Sequence, residues 1–373
     1  MLRTPFHQFH LDHGGKMVDF AGWELPIMYR SIHEEHHQVR NAAGIFDVSH
    51  MGRFYFTGRH ARRFLERVCT RRISDMAPGS CRYSLVCNES GGTKDDVILY
   101  RFDERWLMVC NAANRAKLLE HFEQVKGDLS FKLSDDTEKT AMVAIQGPKV
   151  MEQIGRFSRE LPALKRYTFT VKNLLILKMI CSRTGYTGED GLEVILPANM
   201  VGMAMKLLMK EGEDGKQAIQ PCGLGARDTL RMEAGMPLYG HELSEEIDPF
   251  TAGLDFAVSL DKDKDDQFGE PEPFIGQAAL KEKAVEGLRQ RLMGLRLDGK
   301  RTARPGMTVT SGDKAMVACG HVTSACTSPT LGYPIAMALL EAPLSNPGTK
   351  LLVDFGSAAV EAQVVPLPFY KRS

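Results

Sequence analysis

Apolar and polar positions along the chain follow two rhythms, a period of two and a period near 3.6, and the change from one to the other outlines the elements. GRFYFTG (52–58) alternates as a strand, and HARRFLERVCTRRI (60–73) then sets Ala61, Phe64, Leu65 and Val68 on one helical face. Three strands follow, RYSLVCN, DDVILYRF and RWLMVCN, separated by the turn formers ESGG and DER. A helix with Leu118, Leu119, Phe122 and Val125 as its buried stripe comes next, then strands at SFKLS and AMVAIQG, and Gly147-Pro148 opens another helix. NLLILKMICSR and LEVILP read as the arms of a hairpin around TGYTGEDG, with helices near 197–211 and 223–235 after it.

Hairpins interleaved with crossing helices predict an α+β architecture with antiparallel sheets, because a doubly wound fold would alternate strand and helix more strictly. LDKDKDDQFGEPEPFIG (260–276) is charged and rich in Gly and Pro and reads as a linker or exposed loop. Beyond about residue 290 only short strands remain, LMGLRL, MTVT, VACGHVTS, IAMALL, KLLVDFG and AVEAQVV, the spacing of a small β-barrel or sandwich.

Composition narrows the classes. With 47 basic and 47 acidic residues in 373, nothing global attracts nucleic acid or an anionic membrane, so an anionic ligand has to be handled locally. No apolar run approaches the roughly 20 residues of a membrane span, and MLRTPFHQFHLDHGG lacks the apolar core of a secretion signal. The expectation is a cytoplasmic protein; a mitochondrial matrix protein trimmed of its transit peptide would look alike. Eight scattered cysteines with no Cys-x-x-Cys pair fit reduced, buried thiols. No uninterrupted apolar stripe is left over, which favours a monomer.

Five stretches could carry chemistry. SIHEEHHQVRNAAG (31–44) holds His33, Glu34 and His37 in the H-E-x-x-H spacing of a zinc hydrolase. The same letters make Ser31 and Glu34 a capping box that opens a helix, with His36 between Ile32 and Val39 on its packing face and no third ligand identifiable. In GGTKDD (91–96), strand alternation sends Asp95 and Asp96 to opposite faces, and Asp96 shares its face with Ile98 and Tyr100. Such a carboxylate is a turn former or an acid/base in a cleft. SRTGYTGEDGLEVIL (182–196) offers Tyr186, Glu189, Asp190 and Glu193. Glu193, inside an apolar strand, is either a solvent-face residue or a reader of a flat ring edge with two adjacent N–H donors, such as a guanidinium or the 2-amino-4-oxo edge of a pterin.

GLGARDTLRMEAG (223–235) places Arg227 on an apolar helical row with Leu224, Leu230 and Ala234, where it needs a carboxylate partner: Glu233 or Asp228 in the structural reading, a ligand in the functional one. In FDVSHMGR (46–53), His50 and Met51 open a strand, and His50 reads first as a satisfied, hydrogen-bonded histidine. A phosphate loop, a dinucleotide glycine motif and a serine-hydrolase elbow are absent.

The order of these segments resembles the aminomethyltransferase family, the T-proteins of the glycine cleavage system, almost end to end. KMVDFAGWELPIMY, GIFDVSHMG, GGTKDD, SRTGYTGEDGLE, GLGARDTLRMEAGMPLYGHEL, FIGQAAL, TSPTLG and the terminal PFYKR carry it. The resemblance implies two antiparallel-sheet α+β lobes with ferredoxin-like elements and a C-terminal β-barrel, three lobes around a central folate pocket. Residues 1–52 with 137–265 would form one folate-binding lobe and 53–136 the other. Residues 266–289 would be a linker with a helix, and 290–373 the barrel.

The implied reaction moves the aminomethyl carbon from the lipoyl arm of a transient partner, the H-protein, to tetrahydrofolate as co-substrate, without metal or flavin. It releases ammonia and 5,10-methylenetetrahydrofolate. Carried over by position, Asp96 is the catalytic residue. Glu193 and Arg227 are folate-binding, with Met51, Tyr83, Asn111, Tyr167, Tyr186 and Tyr370 as further pocket residues. Lys94, where relatives often carry an apolar residue, adds a charge beside the carboxylates. Two alternatives stay open: a folate-dependent demethylase of N-methyl or S-methyl compounds, and a non-catalytic folate-binding protein.

Overall fold

The computed structural model describes residues 1–174, 177–209, 218–264, 271–312 and 317–372. They form two compact units: one of residues 1–64, 75–83 and 97–228, the other of 65–74, 84–96 and 229–373. The unit boundaries fall inside elements, so that the helices Ala61–Val68 and Leu224–Glu233 and the strands Cys81–Cys87 and Thr93–Arg101 each contribute to both.

In the first unit, a six-stranded sheet runs in the order Phe169–Leu174, Leu177–Ser182, Gly191–Pro197, Thr140–Gln146, Ala43–Asp47, Ile219–Pro221. All its pairings are antiparallel except the last. Alternation divides the Gly191–Pro197 strand. Leu192, Val194 and Leu196 join a core with Ile45, Val143 and Ile145, and with Val150, Ile154, Val201 and Met205 from the covering helices. Glu193 is thereby sent to the other face, in a row Ser182, Glu193, Ala144, Phe46 across four strands.

The unit also holds a small sheet of Leu2–Arg3, Trp23–Met28 and Lys16–Phe20. A third sheet is ordered Cys81–Cys87, Thr93–Arg101, Arg105–Cys110, Gly52–Thr57, Lys132–Asp135. The tip of its first hairpin belongs to the second unit. The stripe Ala61, Phe64, Leu65 and Val68 is buried as its spacing predicts, although the helix ends at Val68.

In the second unit, six strands close a barrel: Gln290–Leu297, Pro334–Glu341, Ala318–Thr327, Thr308–Ser311, Lys350–Asp354 and Ala359–Val365. Leu295, Val309, Val322, Ala336, Ala338, Leu340, Leu351, Val353 and Val364 fill it, with small alanines in the crowded row. All eight cysteines are buried and unpaired in disulfides.

Two expectations change. The run 173–183 is not one strand: Leu174 pairs with Leu177 as Phe169–Leu174 and Leu177–Ser182 run antiparallel, and residues 175 and 176 lie outside the described residues. LLILKMI contains no Gly, Pro, Asn or Asp to mark the reversal, so the sequence carries no turn signal there.

Nor is 260–276 simply an exposed linker. Residues 265–270 lie outside the described residues, but Lys262 is 1% exposed. Its ammonium donates to the carbonyls of Glu66, Cys69 and Arg71 at 2.6, 2.7 and 3.0 Å and pairs with the Glu66 carboxylate at 2.7 Å. Glu272 is buried too, against Arg67. Charge composition alone does not distinguish a solvated run from one whose charges are individually paired.

Candidate active site

The Ile32–Asn41 helix resolves the H-E-x-x-H question by what its residues already do. Ser31 caps the helix by accepting the Glu34 amide at 3.2 Å and donates its hydroxyl to Glu34 Oε2 at 2.8 Å. His36 is buried in the packing face, and His33 and His37 meet edge to face, their ring centroids 4.4 Å apart. The neighbouring Glu35, fully buried, is structural. Its Oε1 accepts the amides of Tyr29 and Arg30, and its Oε2 accepts that of Gly223, which stands at the head of the helix carrying Arg227.

The strand Gly191–Pro197 and the turn before it settle the candidates of 182–196. Glu189 is paired with Arg40 at 2.9 Å, and Asp190 takes both arms of Arg183 at 3.0 and 2.5 Å. These are structural pairs. Gly185 permits the turn, since a Cβ there would overlap the buried Gln146 amide. Glu193 differs from its neighbours. It is 5% exposed, one carboxylate oxygen accepts the Thr184 hydroxyl at 2.5 Å, and its charge is felt by Arg227. Burial raises its carboxyl above the ordinary value, against the pull of the Thr184 hydrogen bond and the Arg227 charge.

Arg227 thus faces Glu193 electrostatically, and its guanidinium lies over the Tyr186 ring, 4.9 Å from the centroid. Its Nη1 is sealed from solvent and has no hydrogen-bond partner among the described residues. His50 Nδ1 is in the same condition, a correction to its reading as a satisfied histidine. The imidazole packs edge-on against Phe20 at 5.4 Å and is pushed down to about 4 by burial, with the Arg227 and Arg53 charges adding to the effect and Asp47 opposing it. Two buried polar atoms without partners among the described residues thus lie on side chains whose charges act on each other.

The loop bearing His50 and Met51 is held by Arg53. This guanidinium, 0% exposed, donates to the carbonyls of Ser49 at 3.0 Å, Met51 at 2.6 Å and Thr140 at 2.9 Å, and also to that of Thr137. Met51 and Asn111 flank the directly opposed pair Gly52 and Cys110, and both are half-buried. Tyr83 is half-buried on the Cys81–Cys87 strand. Tyr167 is half exposed and takes a left-handed φ of 57°, pinned by its amide to Arg183 and by its carbonyl to Cys81.

Asp96 and Tyr370 belong to the second unit. Along the Thr93–Arg101 strand, Asp95 is fully buried and Asp96 half-buried, in the alternation expected. The approach to Asp96 is fixed: the Thr93 amide donates to the carbonyls of Ser244 and Ile247, and a Cβ on Gly92 would overlap the Glu245 carbonyl. The Lys94 charge is taken up by Glu245 at 3.0 Å. The Tyr370 amide bonds the Glu233 carbonyl, and the Glu233 carboxylate accepts from Ser328 and Thr330.

Arg53, Ser182, Thr184 and Tyr100 were not singled out by sequence. The signal for the first was a charged residue inside the apolar strand GRFYFT; for Ser182 and Thr184 it was two hydroxyls spaced by two on the arm opposite Glu193.

The class is defined by matches along most of the chain. Residues 6–262 match the GCVT N-terminal domain, and residues 290–371 match the glycine cleavage T-protein C-terminal barrel domain. The aminomethyltransferase of Rubrobacter xylanophilus is 45% identical over 374 residues, covering 100% of this chain and 95% of that one. That of Bacillus subtilis is 39% identical, covering 100% of both. The crystal structure of the glycine cleavage system aminomethyltransferase T from Bartonella henselae superposes with a TM-score of 0.88 at 28% identity, over 99% of this chain and 98% of that one. The chain belongs to the aminomethyltransferase family, the T-proteins of glycine cleavage, and is an enzyme of that class.

Proposed function

We propose that the chain transfers the aminomethyl carbon from the lipoyl arm of the H-protein to tetrahydrofolate, releasing ammonia and forming 5,10-methylenetetrahydrofolate. The observation that carries the folate assignment is Glu193, a buried carboxylate on a hairpin strand, facing Arg227, whose Nη1 lacks a partner among the described residues. A carboxylate so placed accepts two adjacent N–H donors, and the 2-amino-4-oxo edge of a pterin supplies them; Arg227 donates to a ligand oxygen. Met51, Tyr83, Asn111, Tyr167, Tyr186 and Tyr370 are proposed as further folate-binding residues.

Asp96 is assigned the acid/base role. As the carbon–sulfur bond of the aminomethyl thioether breaks, its electron pair leaves with sulfur and positive charge builds on carbon and nitrogen. The folate amine attacks that carbon, and its proton passes to Asp96, a step worth on the order of 10² to 10⁴ in rate. The second folate amine then displaces the original nitrogen, which takes that amine's proton and leaves as ammonia, while the proton held by Asp96 goes to the thiolate as a dihydrolipoyl thiol; two carbon–nitrogen bonds to folate replace the carbon–sulfur and carbon–nitrogen bonds broken. A substrate on a tethered arm implies a transient encounter of modest area. The reading keeps the protein cytoplasmic and monomeric, without membrane or nucleic acid.

The test is incubation with aminomethyl-loaded H-protein and tetrahydrofolate, with ammonia and methylenetetrahydrofolate measured together. Equal yields of the two support the proposal. Turnover of dimethylglycine or a sulfonium donor instead would assign a demethylase, and tight folate binding without ammonia a non-catalytic protein.

A further inference from the structure

Three hydroxyls in the first unit stand in a file that ends on Glu193. Tyr100 Oη lies 3.0 Å from Ser182 Oγ, Ser182 Oγ lies 2.8 Å from Thr184 Oγ1, and Thr184 Oγ1 donates to Glu193 Oε2 at 2.5 Å. The direction of the file follows from one proton per hydroxyl. The Thr184 proton is committed to the carboxylate, so its oxygen accepts from Ser182. The Ser182 proton is then committed as well, in competition with the Glu193 carbonyl at 3.3 Å, and its oxygen accepts from Tyr100. All four residues are buried, so the chain lies in a medium where successive hydrogen bonds polarise one another and an unmade one is costly.

We propose that Tyr100, Ser182 and Thr184 are positioning residues that hold Glu193 ionised and fixed on one edge, so that its other edge meets the paired N–H donors of a pterin. This rests on the reading of Glu193 as the pterin-binding carboxylate. A protonated Glu193 would offer an O–H where the ligand brings N–H, a donor against a donor. The protein therefore needs charge on a carboxyl that burial pushes towards neutrality.

The groups around Glu193 divide the work. Arg227, from its helix, supplies positive charge, and the hydroxyl file supplies aligned dipoles. The Cys81 thiol and the Tyr100 phenol, on both of which the Glu193 charge acts, are driven well above their ordinary values by burial. They stay neutral, and Tyr100 stays a donor.

The test uses the full chain and the tetrahydrofolate dissociation constant measured from about pH 5 to about pH 8. Binding by the wild type weakens as pH falls through the Glu193 pKa. In Thr184→Val and Tyr100→Phe the midpoint of that loss moves upward by about one pH unit for Thr184→Val and by less for Tyr100→Phe, with roughly tenfold weaker binding for the former on the acid side. Thr184→Ser restores the wild-type profile. Tyr100→Phe, which removes one oxygen and no volume, keeps the test open where Thr184→Val does not fold. Variants that bind with the wild-type profile overturn the inference alone. A wild type that binds no folate at any pH overturns the reading of the site, and this inference with it.

Discussion

The carboxylate of Glu35 accepts the backbone amide of Gly223 at 2.7 Å, joining residues 188 positions apart. Its other oxygen accepts the amides of Tyr29 and Arg30 at 2.6 and 2.9 Å. One buried charge thus fixes the approach to the Ile32–Asn41 helix and the first turn of the helix that bears Arg227. Glu35→Ala strands three amides and is expected to cost about 3–5 kcal/mol by denaturant unfolding, with Glu35→Gln losing less. Gly223→Ala should fail for a different reason, since its Cβ would sit 2.5 Å from the Ile27 backbone.

Glu35 also shows where sequence reading stops. Periodicity located the barrel strands and most strands and helices between residues 52 and 235, because burial of alternate or helical-face residues leaves a mark in the order of residue types; Leu2–Arg3, Lys16–Phe20, Trp23–Met28 and Ala43–Asp47 were not read from it. Glu193 and Arg227 stood out for the same reason, as charges on apolar rows. What pattern does not encode is a partner. Glu34 and Glu35 are adjacent identical letters, one bonded to the Ser31 cap of its own helix and the other holding an amide 188 positions away. Lys262 looked solvated because the carbonyls that surround it belong to residues 66–71. Glu189 and Asp190 stayed candidates beside Glu193 until Arg40 and Arg183 were seen to occupy them.

Arg53 is caged by carbonyls of Ser49, Met51, Thr137 and Thr140. Arg53→Leu preserves apolar volume and removes every donor from that cage. The expected loss is about 3–5 kcal/mol, and Arg53→Lys, with one ammonium for a planar fork, recovers only part of it. Because the cage holds the His50–Met51 loop, any folded fraction should also bind folate more weakly, read by titration of the surviving native protein.

His50 predicts an acid sensitivity. Burial holds the folded imidazole at about 4 against an ordinary 6.5, so well above 6.5 both folded and unfolded forms are uncharged and nothing is lost. As pH falls below about 6.5 the unfolded chain takes up a proton that the folded one refuses, and stability declines until the folded pKa is reached. The full difference is roughly 3 to 3.5 kcal/mol. His50→Gln should flatten the dependence of unfolding free energy on pH between those limits. An imidazole that titrates near 6.5 by NMR in the folded protein would contradict it.

The two carboxylates are assigned different tasks, and substitution by the matching amide separates them. Asp96→Asn keeps shape and hydrogen-bonding capacity but cannot accept a proton from the attacking amine. Turnover should drop roughly 10² to 10⁴-fold while the tetrahydrofolate dissociation constant stays near wild type. Glu193→Gln places an NH₂ where one of two acceptor oxygens met a pterin donor, and the mismatch should weaken folate binding by about 2–4 kcal/mol. Its turnover at saturating folate should fall less than that of Asp96→Asn. Fluorescence titration of folate binding beside initial rates with loaded H-protein measures both quantities on each variant, and the opposite pattern would exchange the two roles.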